Sequence, residues 1–235
     1  MEFVISHLSQ SYGTNKVLTD VDYAFEEGKI YGLLGRNGAG KTTLFNCLNG
    51  DIKTDSGEFF FRENDKKEEV GSDDIGYVLS APIVPSFMTG REFLKFFMDI
   101  HSDSIKNPKT IDEYMDLVKI PEDTRDRLMK DYSHGTKNKM QMLVNLVLNP
   151  RLMLLDEPLT SLDVVVAEEM KDVLRNHKEG KILIFSTHLL DIALDLCDEI
   201  VLLNHGRLEL VDKSNLDNAN FKEKIIEALR DADNS

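Results

Sequence analysis

The chain has 235 residues, 41% of them hydrophobic, and a formal net charge of −14 at pH 7. That length and apolar content suffice for one substantial core, and the acidity excludes nucleic acid or an anionic lipid surface as the main partner, because both need local cationic excess. Residues 1–7 lack the basic and apolar segments of a signal peptide, no run reaches the ~18 apolar residues of a membrane span, and the two cysteines, Cys47 and Cys197, lack metal-ligand spacing and read as small buried residues of a reducing compartment.

Residues 2–34 alternate short strand-like runs with turns at 11–15 and 26–29, which predicts an antiparallel β layer feeding a buried strand at 29–34. Residues 42–48 read as the first turns of a helix. Between strand and helix, Gly35-Arg36-Asn37-Gly38-Ala39-Gly40-Lys41-Thr42 fits the G-x-x-x-x-G-K-[ST] pattern of a phosphate loop. Gly35, Gly38 and Gly40 are expected to take positive φ, so that successive N–H groups and the helix N-terminus address phosphate oxygens. Lys41 adds a point charge, Thr42 a hydroxyl for Mg²⁺, and Thr43 continues the first turn of the helix. The ligand this predicts is a nucleoside triphosphate.

Next come a turn at 54–57, a strand at 58–61, a charged stretch at 62–74 read as solvated loop, and a strand at 75–79. From 81 to 150 the strand signal gives way to three helical patterns. Thr89-Gly90-Arg91-Glu92 is a capping box, and it opens a helix whose Phe93, Phe96, Phe97 and Ile100 share one apolar face expected to enter the core. Thr110-Ile111-Asp112-Glu113 is a second box; Met140, Leu143, Val144 and Val147 mark a third helix, ended by Asn149-Pro150. Strand patterns resume at 152–155, 181–185 and 200–203, separated by helical stretches near 164–178 and 189–197, which predicts a parallel sheet covered on both faces. A hairpin turn is expected at 204–207 and a closing helix at 221–229.

The strand at 152–155 runs into Asp156 and Glu157, which places two carboxylates at the carboxyl edge of the sheet, where open α/β folds bind ligands. Phosphoryl transfer calls for such a pair: Asp156 to hold Mg²⁺ through water, and Glu157 to orient or deprotonate the attacking water.

The ordered series of the phosphate loop, Ser133-His134-Gly135, Asp156-Glu157-Pro158, Ser161-Leu162-Asp163 and His188 resembles the nucleotide-binding subunit of an ABC transporter, from Tyr12 to about Val211. The resemblance implies an α/β fold with a P-loop NTPase core and parallel sheet (1–80 and 151–211), an N-terminal antiparallel β subdomain, an inserted α-helical subdomain (81–150) and a C-terminal helix and tail (212–235), all one ATPase domain. It also implies that Tyr12 stacks on adenine, that Ser133 and Gly135 address the γ-phosphate of ATP held by a second copy, that Asp163 communicates across that dimer, and that His188 meets the γ-phosphate. Tyr132-Ser133-His134-Gly135 with Lys137 and Lys139 is similar to the signature variant of bacterial peptide and drug exporter ATPases, with Ser133 expected to cap the following helix. The implied cofactors are ATP and Mg²⁺. The implied partners are a second nucleotide-binding subunit, most simply a homodimer, and a separate membrane permease, which would hold the chain at the cytoplasmic face. Residues from Pro82 and Phe87 to Phe97 correspond to the surface that receives the permease. Ser80 departs from the pattern: family members place glutamine or glutamate there, reaching Mg²⁺ and the attacking water, and a serine predicts weaker sensing or slower turnover. Two alternatives stand beside the exporter, a soluble ABC-type assembly ATPase and a P-loop kinase. The kinase would have no need of Ser133 or His188.

Overall fold

A computed structural model describes residues 1–71, 73–160, 162–211 and Ile225. Ser161 and, Ile225 aside, the expected closing helix at 221–229 lie outside the described residues. The chain divides into two compact units, Met1–Val70 with Lys178–Ser235, and Gly71–His177.

The first unit opens with β1 (Glu2–Tyr12) and β2 (Asn15–Glu26), an antiparallel pair turning at Gly13-Thr14, with Tyr12 opposite Asn15. β4 (Ser56–Glu63) joins the other edge of β1, and β5 (Lys66–Glu68) joins β4, giving the antiparallel order β2-β1-β4-β5. The charged stretch is therefore not simply loop. Asn64 and Asp65 both take positive φ, the geometry of a tight hairpin turn, and return the chain along β4. Phe3, Ile5, Leu8, Leu18, Val21, Phe25 and Phe61 form the buried face of this layer. Phe3 meets Phe61 edge-on at 5.2 Å, and Phe25 meets Tyr31 at 4.9 Å and 88°.

The second sheet of this unit is built on β3 (Lys29–Leu34). It pairs in parallel with β8 (Ile182–Thr187) on one side and β9 (Glu199–Asn204) on the other, and β10 (Arg207–Val211) returns antiparallel on β9 through a turn in which His205 and Gly206 have positive φ. β3 and β8 are almost wholly buried, as strands covered on both faces must be. α1 (Lys41–Leu48) follows β3, and α7 (Leu190–Leu196) follows β8, lying so close to β3 that a Cβ on Gly32 would stand 2.9 Å from Cys197 Sγ. Both cysteines are buried thiols, as expected. Burial, with the charge of Asp55, pushes Cys47 up to about 11.

In the second unit β6 (Ile75–Val78) pairs in parallel with β7 (Leu152–Asp156). Between them come α2 (Gly90–Ile100), α3 (Ile111–Leu117), the short α4 (Glu122–Arg125), a 3₁₀ turn at Met129–Asp131 and α5 (His134–Leu148); α6 (Val164–Asn176) follows β7. Both capping boxes form as the sequence requires, Thr89 with Glu92 and Thr110 with Glu113, and Asn149 closes α5 in the left-handed conformation. Arg125 is buried among them: it donates to Ile120 O at 3.0 and 2.9 Å and pairs with Asp112 at 2.9 Å and with Asp116.

One expectation about α2 holds only in part. Gly90 and Leu94 are the buried residues of this helix, Phe93 and Phe97 are half-buried, and Phe96 and Ile100 are exposed. The far edge of the apolar face is left uncovered among the described residues.

Candidate functional site

The first unit assembles the phosphate loop. Leu34 lies beside Thr187 of β8 and Leu202 of β9, and Gly35 N–H donates to Thr187 O at 3.2 Å, so the loop leaves the sheet between the ends of two parallel strands. This is the edge at which helix N-termini and loop N–H groups collect. Gly38 and Gly40 have φ of 82° and 105°; Gly35 does not have positive φ. The expectation is corrected there: at Gly35 the constraint is close packing instead, a Cβ standing 3.2 Å from Leu203 O and 3.3 Å from Ala39 Cβ, tighter than most such contacts. Gly40 is constrained twice, since its Cβ would fall 2.7 Å from Val17 Cγ1.

Lys41 begins α1 and is only 6% exposed. Its ammonium curls over its own loop, donating to Gly35 O at 2.6 Å and Arg36 O at 3.2 Å. A cleft of about 380 Å³ borders the loop, lined by Arg36, Gly38, Asn15, Lys16, Asn204 and His205 among others. No local pattern assigns the β9–β10 turn a role. It reaches the cleft because Thr19 N–H donates to Gly206 O at 2.8 Å, and a contact between residues so far apart in the chain leaves no local signal. Tyr12 ends β1 half exposed, with its ring open to stacking. His188 follows Thr187 directly, so pairing of β8 with β3 sets it beside the start of the loop. The segment after it is turned by Leu189 N–H donating to Thr187 Oγ1 at 3.0 Å.

The second unit gathers the other residues singled out in the sequence. Val78 pairs with Leu155, so Ser80, just past β6, and Glu157, just past β7, emerge at the same end of the pair. Asp156 is buried; Glu157 has φ of 48°, a left-handed backbone that a non-glycine residue adopts at some cost. Thr160 Oγ1 donates to Glu157 Oε2 at 2.9 Å, and Thr160 N–H to Glu157 O at 3.1 Å, which hold that turn. Ser80 is exposed.

Ser133 caps α5 as expected, its Oγ accepting from Thr136 N–H at 3.1 Å. Asp163 caps α6 in the same way, accepting from Val166 N–H at 3.0 Å. The two N-termini lie together: a Cβ on Gly135 would stand 3.1 Å from Val166 Cγ1, and Lys139 of α5 pairs with Glu169 of α6 at 2.6 Å while also donating to Lys119 O. Ser133-Gly135 and Asp163, separate in sequence, are thus one local cluster.

A strand, glycine loop and helix carrying lysine and threonine define a P-loop nucleotide-binding fold. Residues 18–160 match the family described as ABC transporter. An uncharacterised ABC transporter ATP-binding protein of Methanocaldococcus jannaschii is 33% identical over 205 residues, 86% of this chain and 74% of that protein. The bacitracin transport ATP-binding protein of Bacillus licheniformis is 35% identical over 86% of this chain and 66% of its own. A sulfate/thiosulfate import ATP-binding protein of Synechococcus elongatus is 29% identical over 88% and 61%. Among solved structures, a subunit of the cbiONQ ABC transporter complex of Clostridium perfringens superposes with a TM-score of 0.76 at 25% identity, over 95% of this chain and 92% of that one. A dimeric ATP-binding cassette in a post-hydrolysis state with ADP and Pi gives 0.74 at 20% identity, over 88% and 96%. The chain belongs to the ABC transporter ATP-binding family, and it is an ATPase.

Proposed function

We propose that this chain is the ATP-hydrolysing subunit of an exporter, acting as one domain that dimerises around ATP and drives a separate membrane permease. The observation that carries this reading is that one chain holds both a complete phosphate loop and capped N-termini at Ser133 and Asp163, in the signature form that includes Lys137 and Lys139. Kinship with the bacitracin transport protein supports a transport role, and the signature form, similar to that of peptide and drug exporters, favours export over the direction of the sulfate/thiosulfate import relatives.

In this reading Tyr12 stacks on the adenine, and residues 35–43 receive the phosphates, with Lys41 exchanging its two carbonyl partners for phosphate oxygens. The Thr42 hydroxyl, the Asp156 carboxylate and Ser80 are hard oxygen donors, the chemistry that Mg²⁺ takes, and the ion would neutralise charge on the phosphate tail. Glu157 accepts a proton from, or orients, the attacking water, and His188 helps to place it. Ser133, Gly135 and Asp163 address the nucleotide of the partner copy through a hydroxyl, main-chain N–H groups and a helix N-terminus. Ile83, Phe87, Phe96 and Ile100 are exposed, and such unpaired apolar residues support a permease contact on this stretch.

Glu157→Gln tests the core of the proposal. It keeps the size of the side chain, cuts turnover by about 10²–10⁴-fold as loss of a general base does, and traps an ATP-dependent dimer measurable by light scattering against the 26.7 kDa monomer. A variant that stays monomeric at saturating ATP overturns the dimer, and undiminished turnover removes Glu157 from its role. Ser80→Gln is expected to raise turnover; an unchanged rate and unchanged transport coupling mean that Ser80 is not a sensor of the phosphate.

A further inference from the structure

α5 carries three amide side chains on one buried face, Asn138, Gln141 and Asn145, spaced i, i+3 and i+7. They are 1%, 7% and 8% exposed, an environment in which an unbonded amide is costly. Gln141 is bonded twice, each time to main chain flanking Ser80. Its Nε2 donates to Leu79 O at 3.3 Å, and its Oε1 accepts from Ile83 N–H at 3.1 Å. A primary amide is suited to this because it presents a donor and an acceptor in one plane, as a peptide group does, whereas a carboxylate can only accept and an apolar side chain can do neither.

The grip is anchored further along the same face. Asn145 Nδ2 donates to Gln141 O at 2.9 Å, and its Oδ1 lies where a Cβ on Gly76 would come within 2.6 Å, so α5 abuts β6 before Ser80 and holds the main chain after it. The other end of α5 is the Ser133 cap, so a single helix of 15 residues carries both the amide grip and that motif.

We propose that Gln141 is a positioning residue: its amide clamps residues 79–83 to α5, so that the placement of Ser80 is set by the helix that carries Ser133. The clamp links the segment facing the chain's own nucleotide to the motif facing the partner's. This rests on the proposed reading of Ser80 and Ser133 as groups that address γ-phosphates.

Gln141→Met tests it, because methionine fills the same volume without either bond. The expected result is amide exchange at Ile83 at least tenfold faster, ATP affinity within twofold of the parent, and kcat lowered several-fold with KM unchanged. Combined with Ser80→Ala, it should turn over no more slowly than the slower single variant, since both act through one loop. Gln141→Glu is the second variant, used if methionine impairs folding: it keeps the acceptor for Ile83 N–H and loses the donor to Leu79 O, so exchange at Ile83 stays slow while kcat falls. Unchanged exchange at Ile83 in Gln141→Met overturns the clamp, and faster exchange with an unchanged kcat overturns its part in turnover. Should Ser80→Ala alone leave kcat at the parent value while Gln141→Met still frees Ile83, the reading of Ser80 fails and the clamp stands.

Discussion

His7 shows what a single residue can do at a bulge. The register of β1 on β2 shifts between Ile5 and Leu8, and His7 takes φ of 52° in that interval, which brings its Nδ1 2.8 Å from Asp20 and 3.2 Å from Asp22. The hydrogen bond to Asp20, then the charges of Asp22 and Asp20, raise its pKa above the ordinary 6.5. A raised folded-state value means that the imidazolium's contribution to stability is fully present below the unfolded pKa and fades as pH rises through the folded one. A proton titration followed by NMR should therefore place the His7 midpoint above 6.5, and His7→Gln should remove that part of the pH dependence of stability; a midpoint at or below 6.5 contradicts the pairing. Lys41 is the complementary case. Its ammonium is held by carbonyls of its own loop, so Lys41→Met should fold normally while losing ATP binding, measured by equilibrium titration of nucleotide. The motif identified Lys41 from the sequence alone; the pairing of His7 with Asp20 and Asp22 depends on a bulge that no local pattern announces.

At the scale of elements, α5 and α6 are tied together beside the signature segment. Lys139 is buried and its ammonium is shared between Glu169 and a main-chain carbonyl. Lys139→Ala is expected to cost about 2 kcal/mol, the range for a hydrogen-bonded charge whose partner is left half-buried, read as a lowered denaturation midpoint. Asn138 predicts the opposite sign. Neither of its amide atoms has a partner among the described residues, and both are shielded from solvent. Asn138→Leu should leave stability unchanged or raise it by about 1 kcal/mol, because each unpaired buried amide group costs about 1–3 kcal/mol; a clear loss would mean that the amide is bonded in solution. Capping boxes at Thr89 and Thr110 and the cap at Ser133 were legible because they are local, a side chain bonding an N–H three residues on, whereas the equally local cap at Asp163 emerged only in the structure. The β5 strand was not, since its residues are charged and exposed and only pairing with β4 makes them a strand.

For the whole molecule, the acidic surface and the exposed apolar residues point to different tasks. A net charge of −14 favours mutual repulsion between copies, whereas Phe87, at 78% exposed, and Phe96 are large apolar side chains left exposed among the described residues. Phe87→Ser with Phe96→Ser should leave ATP binding and thermal stability near the parent values while weakening co-purification with membranes. Loss of stability instead would mean that these rings serve the chain's own core. No helix among the described residues is long and apolar enough to cross a membrane.

The sequence by itself determined the phosphate loop, the carboxylates at the end of β7, the caps and the parallel strands, because each depends on residues a few positions apart or on a period that burial imposes. Only tertiary structure decided that Gly35 is closely packed and without positive φ, that Phe96 and Ile100 of α2 remain exposed, that the β9–β10 turn borders the loop's cleft, and that Gln141 holds the chain on both sides of Ser80. Those outcomes depend on which distant segment arrives next to a residue, and amphipathic periodicity specifies that a face is apolar without specifying what covers it.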